Sequence, residues 1–326
     1  MSQIESTKTY TGNDLETIFF RPMLTGESAQ ELGVRVLYNM PVPTTIQLWE
    51  GSRNILKNYQ NGWDGSNSST KSQKSIKLHK VKAEQSFSAS DYFSMVYEQI
   101  VCRSDVNLDD LTGTELEQAE TELFKRAIAE GIRATMWVGD TETGLTEFNT
   151  FDGFYTIIKR LADRAEIPAQ IITQETLESD NAAVSIFDRC WNSASSHLKD
   201  LKAEGQLALF VSSDIYNLYE KYLDTKGADS AYTEMTQGRT HLAYHGIPVI
   251  DIHVTNYLED SDLPGTFCIL TDRRNLVLAV NTADFPGNEI RMWYNPDEME
   301  NRQRAIFMAG CEVLDNNIIT YAYSAN

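Results

Sequence analysis

The sequence lacks most of the patterns that announce chemistry. It contains no GxGxxG, no GxxxxGK[ST] and no GxSxG, which excludes the glycine-framed phosphate cradles and the nucleophile elbow. No stretch reaches about eighteen consecutive apolar residues, so no segment is long and apolar enough to cross a membrane as a helix. The opening residues, Met1-Ser2-Gln3-Ile4-Glu5-Ser6, have neither the basic start nor the apolar run of a secretion signal, and the expectation is a protein made and kept in the cytoplasm. Cysteine is sparse. Cys102, Cys190, Cys268 and Cys311 form no CxxC pair, and three of them sit in apolar company, as buried free thiols in a reducing compartment do.

Positive charge is scarce as well. Lysine and arginine number 28 against 47 acids, for a net charge of −19. That excludes sequence-independent attraction of the whole molecule to nucleic acid or an anionic membrane. The deficit is uneven. Residues 51–82 hold Arg53, Lys57, Lys71, Lys74, Lys77, Lys80 and Lys82 against the single acid Asp64, so this segment is +6 and the remainder −25. A cationic segment on an acidic protein calls for a partner, or serves to keep an exposed strand edge from aggregating.

What is present is a chain of 326 residues, 41% apolar, enough for one large domain or two modest ones. Residues 1–40 read as an extended arm with a short helix around Ala29–Tyr38. Thr44–Trp49 reads as a strand. The Asn-, Gly-, Ser- and Lys-rich stretch Asn58–Ser75 reads as a loop, and the alternation of Ile76, Leu78 and Val81 with lysines reads as a returning strand. Together they predict a long hairpin over residues 44–88, too thin in apolar content to be stable alone. Ala89–Val101 reads as a helix. A capping-box pattern at Thr112–Glu115 opens the longest helical run, Gly113–Ala134, with Leu116, Ala119, Leu123, Ala127 and Glu130 on one stripe and Phe124, Ile128 and Ile132 flanking it. Trp137–Gly144 is rich in turn residues. Beyond it the pattern becomes α/β: a helix at Ala182–Leu201, a strand at Leu207–Val211, a helix at Asp214–Leu223, then strands at Ile247–Ile252, Thr266–Thr271, Leu276–Val280, Ile290–Tyr294, Arg304–Cys311 and Ile318–Ala322.

Candidate chemistry is thin. His241 and His245, with Asp251 and His253, are the most metal-like group, but the run into His-Gly-Ile-Pro favours a strand, on which the two histidines diverge; ordinary structural histidines are the expectation. Asp109, Asp110, Glu115, Glu117, Glu120 and Glu122 collect at the start of the long helix, where acids complement the helix dipole. Trp137 and Trp191 fit a core, and Asp272-Arg273-Arg274 fits a turn between strands. The expectation is no catalytic site, no metal and no cofactor: a protein whose function is its shape.

Four stretches in this order resemble the major capsid proteins of tailed bacteriophages, the Hong Kong 97-like shell family. They are Leu116–Trp137 followed by Val138-Gly139-Asp140, Gly205–Tyr216, Tyr244–Ile250 with its Gly-x-Pro-Val core, and the strand-rich end closing on Ile318-Ile319-Thr320-Tyr321. The resemblance covers about residues 40–326. It implies an α+β fold with an N-terminal arm (1–43), an extended hairpin loop (44–88), a peripheral domain with a long spine helix (84–150 and 272–326) and an axial domain (151–271). It also implies self-assembly into hexamers and pentamers of an icosahedral head enclosing double-stranded DNA without sequence-specific binding, assembled in the host cytoplasm. A portal would be a partner, with a decoration protein as an optional further one. Residues 1–43 are too few for a built-in scaffolding segment, so a separate scaffolding protein is expected. The hairpin residues Arg53, Lys57, Lys71, Lys74, Ile76, Lys77, Leu78, Lys80 and Lys82 are expected to contact the acidic start of a neighbour's spine helix. An encapsulin-like compartment shell, and more remotely a metal-dependent enzyme using His241, His245 and His253, are the competing readings.

Overall fold

Five consecutive apolar residues, Leu207–Val211, leave no polar position for a solvent face, so they demand a strand covered on both sides. The computed structural model places them so, with all five buried. It describes residues 8–10, 32–39, 44–50, 61, 70–88, 115–143, 148–226, 232–236, 239–258, 261–281, 289–295, 297–298 and 300–324. Along these residues the strands are β1 (Lys8–Tyr10), β2 (Arg35–Tyr38), β3 (Thr44–Glu50), β4 (Thr70–Ile76), β5 (His79–Ser88), β6 (Ala169–Ile172), β7 (Leu207–Val211), β8 (Tyr232–Thr236), β9 (Arg239–Tyr244), β10 (Ile247–Asp251), β11 (Phe267–Asp272), β12 (Leu276–Asn281), β13 (Glu289–Asn295), β14 (Glu300–Val313) and β15 (Ile319–Ser324). The main helices are α1 (Glu115–Val138), α2 (Phe154–Asp163), α3 (Ala182–Ser193) and α4 (Ser213–Lys226).

Two sheets carry the fold. A seven-stranded sheet has the order β6-β15-β11-β7-β10-β9-β8. Its two faces separate by the pleat: Ala208, Phe210, Phe267, Ile269 and Tyr321 point to one core, Leu209, Val211, Cys268 and Leu270 to another. The second core is closed by α3 and α4 through Ile186, Phe187, Ile215 and Tyr219. A six-stranded sheet has the order β1-β13-β14-β12-β2, with β5 along the other side of the long strand β14. The first core lies between this sheet, α1, α2 and the seven-stranded sheet; Phe124, Ile132, Phe154, Leu278 and Phe307 all belong to it. Trp137 is fully buried at its centre, its ring 5.5 Å from those of both Phe154 and Phe210.

Several expectations are corrected here. The segment read as a helix around Ala29–Tyr38 ends instead in strand β2, parallel to β12. Gly33 has φ +76°, a left-handed geometry that stops a helix, and the side chain of Arg273 packs where a Cβ would stand. Val34 is buried and Val36 and Tyr38 pack against the same core, an alternation that only a strand satisfies. On α1 the buried stripe is Phe124, Ile128 and Ile132, while Leu123, Ala127 and Glu130 are exposed, so the helix has one apolar face rather than two. The helix expected over Ala182–Leu201 breaks at Ala194, whose ψ is 142°, and restarts over Ser196–Asp200 with the Ser195 hydroxyl accepting from the Leu198 amide at 3.1 Å. Strand β15, at the end of the segment 272–326, pairs with β11 and β6 in the seven-stranded sheet. The helix expected at Ala89–Val101 and the capping residues Thr112–Thr114 lie outside the described residues.

Candidate assembly surfaces

The hairpin begins from backbone pairing. β3 and β4 are antiparallel from Thr44↔Ile76 to Glu50↔Thr70, and together form a separate two-stranded sheet. β5 does not belong to this hairpin: it pairs with β14 from Glu300↔Ser88 to Ala309↔His79. The paired hairpin is therefore residues 44–76 rather than 44–88.

Its root is anchored. Ile76 is 1% exposed and packs with Val277, Ala279 and Leu314, joined by Ile46 and Leu78. Between β4 and β5 the chain crosses over Gly310 of β14. A Cβ there would stand 2.1 Å from the Lys77 carbonyl oxygen, so glycine is what permits the crossing. The Lys74 ammonium lies 3.3 Å from Glu312 and donates to Asn316 Oδ1 at 3.4 Å. Ile76 and Lys74, expected at a subunit contact, thus both serve to fix the hairpin to its own subunit.

The other expected contact residues divide. Lys77, Lys80 and Lys82 are exposed, and Lys82 pairs along its own strand with Glu84 at 2.8 Å. Leu78 is half-buried. Glu122 is exposed, with Arg126 4.0 Å away one turn on. Glu115, Glu117 and Glu120 lie on the first turns of α1. Arg53, Lys57, Asp109 and Asp110 lie outside the described residues, as do the side chains of Lys71, Glu115, Glu117 and Glu120.

A joint that sequence reasoning passed over sits where α1 meets α2. The Gly153 amide donates to the Gly139 carbonyl at 2.8 Å, and a Cβ on either glycine would stand within 2.6 Å of neighbouring backbone, so the two chains touch directly. Around this crossing the Arg160 guanidinium donates to Asp152 at 2.8 Å and to Asp140, with Glu142 3.5 Å away. Asp152 also accepts from the Thr141 amide and hydroxyl at 2.9 and 2.8 Å. Burial alone would raise the Asp152 carboxyl; the Thr141 donors and the Arg160 charge outweigh it and hold the group below its ordinary range. The only signal in the sequence is the paired pattern Gly139-Asp140 and Asp152-Gly153, legible once both glycines are known to meet.

His245 and His253 do not converge. His245 and Gly246, at φ +49° and +81°, make the two-residue turn between β9 and β10. His253 lies beyond the far end of β10, its Nδ1 3.1 Å from Asp251. The side chain of His241 is not described. Among the described residues no three His, Cys, Asp or Glu side chains gather in a way that could hold a metal ion. The Cys190 and Cys268 sulfurs are 3.9 Å apart, and burial pushes the Cys268 thiol up, the opposite of what a reactive thiolate needs.

No family model matches the sequence, and no curated protein matches it. Solved structures do. A chain of the satellite phage P4 procapsid including size determination (Sid) protein is 9% identical, with 93% of this chain and 98% of that one covered at a TM-score of 0.57. A chain of Gordonia phage Cozz is 14% identical, with 91% and 86% covered at 0.53. A chain from the capsid of an empty GTA particle is 13% identical, with 93% and 91% covered at 0.50. Identities this low show the fold alone: this chain has the Hong Kong 97-like capsid fold.

Proposed function

We propose that this chain is the major capsid protein of a tailed bacteriophage, a structural subunit that assembles with itself into the icosahedral head around double-stranded DNA. The observation that supports this most is the end-to-end likeness to the P4 procapsid chain, 98% of which is covered with no large domain left over. In this reading the six-stranded sheet with α1 forms the peripheral domain, the seven-stranded sheet forms the axial domain, and the 44–76 hairpin is the arm laid on a neighbour. Subunits join as pentamers and hexamers in the virion, after assembly in the host cytoplasm. A separate scaffolding protein and a portal are partners of the same reading, with a decoration protein as an optional third, and the role is structural rather than enzymatic.

The part of the cationic segment 51–82, the hairpin with the adjoining start of β5, is electrostatic guidance. Single exposed ion pairs contribute about 0–1 kcal/mol, but they steer docking and fix register, and a closed shell repeats them in every subunit. Because Lys74 is held by Glu312 in its own subunit, the informative lysines are Lys77 and Lys80. Lys77→Glu with Lys80→Glu should leave the purified subunit folded by circular dichroism while lowering the yield of fast-sedimenting particles, and added salt should weaken wild-type assembly. Normal particle yield from the double variant would refute the electrostatic role. Packaged DNA in particles from infected cells supports the phage reading, and a protein cargo without DNA would favour the encapsulin-like alternative.

A further inference from the structure

Two of the buried thiols meet in the second core. Cys190 and Cys268 are both fully buried, and the Cys190 thiol donates to the Cys268 sulfur at 3.9 Å, across 78 positions of sequence. Cys268 is the rigid side of this contact: β11 is paired along both edges, with Cys268 opposite Val211 of β7 and Ala322 of β15. Cys190 is the yielding side. It sits in the last turn of α3, just ahead of Ala194, where the chain turns extended. A disulfide holds its sulfurs about 2.05 Å apart, so the pair must close by about 1.9 Å. A packed interior resists such a shift. Here there is room, because a cavity of about 280 Å³ lies between α3 and the sheet. Phe187 and Trp191, on either side of Cys190 along α3, line it, and so does Leu270, which shares its sheet face with Cys268. The exposed His245 lines it as well, so the cavity is reached from solvent.

We infer that Cys190 and Cys268 form a disulfide when the protein meets a peroxide oxidant, and that the bond staples α3 to the middle of the seven-stranded sheet. Hydrogen peroxide is close to water in size, and the cavity beside the thiols admits it. One thiolate attacks a peroxide oxygen; the O–O bond breaks, the departing hydroxide takes up a proton as water, and a sulfenic acid is left. The partner thiol then attacks that sulfur. The S–S bond forms, the S–O bond breaks, and a second water leaves with the partner's proton. Two thiols are oxidised to one disulfide and one peroxide is reduced to two waters. Burial, and after it the neighbouring Cys190, push the Cys268 thiol up, which keeps thiolate scarce and makes the reaction slow. The setting rests on the shell reading above: a virion passes from a reducing cytoplasm to oxidising surroundings, and a bond that closes there hardens the particle. The stabilisation comes from constraining the unfolded chain and grows with the length of loop closed, here the 78 positions from Cys190 to Cys268.

The test treats the purified full chain with hydrogen peroxide, blocks the remaining thiols in denaturant and maps unreduced peptides by mass spectrometry. A linked Cys190–Cys268 peptide, two hydrogens lighter than its parts, is expected, and the thermal midpoint of the oxidised chain should rise by about 5 °C. Cys268→Ala should lose both the linked peptide and the rise. Thiols that stay free, thiols carried on to sulfinic acid, a link through Cys102 or Cys311 instead, or a bond that leaves the midpoint unmoved or lower would overturn the staple. Should Cys268→Ala not fold, reversal decides: a reductant added to the oxidised wild type should return the midpoint to its starting value, and a rise that survives reduction would overturn the proposal. Sedimentation of the same samples scores the shell reading separately. Chains that gain the bond without forming particles keep the staple and lose the shell; particles whose pair stays reduced keep the shell and lose the staple.

Discussion

Gly310→Ala is the sharpest probe of how the hairpin is held. The Lys77 carbonyl oxygen would stand 2.1 Å from the new Cβ, where ordinary contacts begin near 3.0 Å, so the crossing segment must rise by about 0.9 Å. What it would meet is backbone, which cannot rotate away as a side chain can. The displaced residues, Lys77 and Leu78, adjoin Ile76, whose burial against Val277 and Ala279 is complete. Overpacking of this kind costs about 1–3 kcal/mol, and partial loss of one buried isoleucine adds up to roughly 1–2 more. We expect about 2–3 kcal/mol of destabilisation, read from the midpoint shift in urea at constant slope. Gly131→Ala is the control: Gly131 lies on α1 with nothing within 4 Å of a new Cβ, and replacing a helical glycine there should stabilise by up to about 1 kcal/mol. The two alanines should therefore move the midpoint in opposite directions, and Gly310→Ala should also lower particle yield by tilting the arm. A Gly310→Ala protein as stable as wild type would refute the reasoning about the crossing.

Trp137→Ala removes the ring shared by α1, α2 and β7 and should cost about 3–5 kcal/mol in the same assay. Arg160→Met leaves Asp140 and Asp152 without their cation at the α1–α2 joint and should cost about 1–3 kcal/mol at neutral pH. For Asp152 the folded carboxyl titrates below its unfolded value, so in acid the unfolded state binds more protons and stability rises with pH. Its contribution is full above about pH 4 and is lost as pH falls through the depressed value; Asp152→Asn should flatten that acid limb of the stability curve while lowering stability at pH 7.

The sequence shows best what depends on short-range pattern. Leu207–Val211 could be only a doubly covered strand, and the element order from Leu116 to Tyr321 was enough to suggest the shell fold. The failures follow from contacts that no local pattern contains. Arg35–Tyr38 becomes a strand because β12 lies beside it, some 240 residues away in sequence. β5 looked like the return of the hairpin because its lysines alternate, yet β14 claims it through ten paired residues. The α1 stripe was misplaced by one position because alanine and leucine suit either face, and the sheet beneath selects Phe124, Ile128 and Ile132. At the candidate assembly surfaces the charge asymmetry was visible from composition, whereas the anchoring of Lys74 on Glu312 and the Gly310 crossing required the fold.

The central claim is that this chain builds a shell from itself, and cryo-electron microscopy of the purified, expressed protein tests it most directly. The account predicts closed particles whose reconstruction shows pentamers and hexamers, with the seven-stranded sheets around their axes and the 44–76 hairpins lying across neighbouring subunits. A protein that stays monomeric across pH, salt and concentration, or that forms particles in which the hairpin touches only its own subunit, would contradict it.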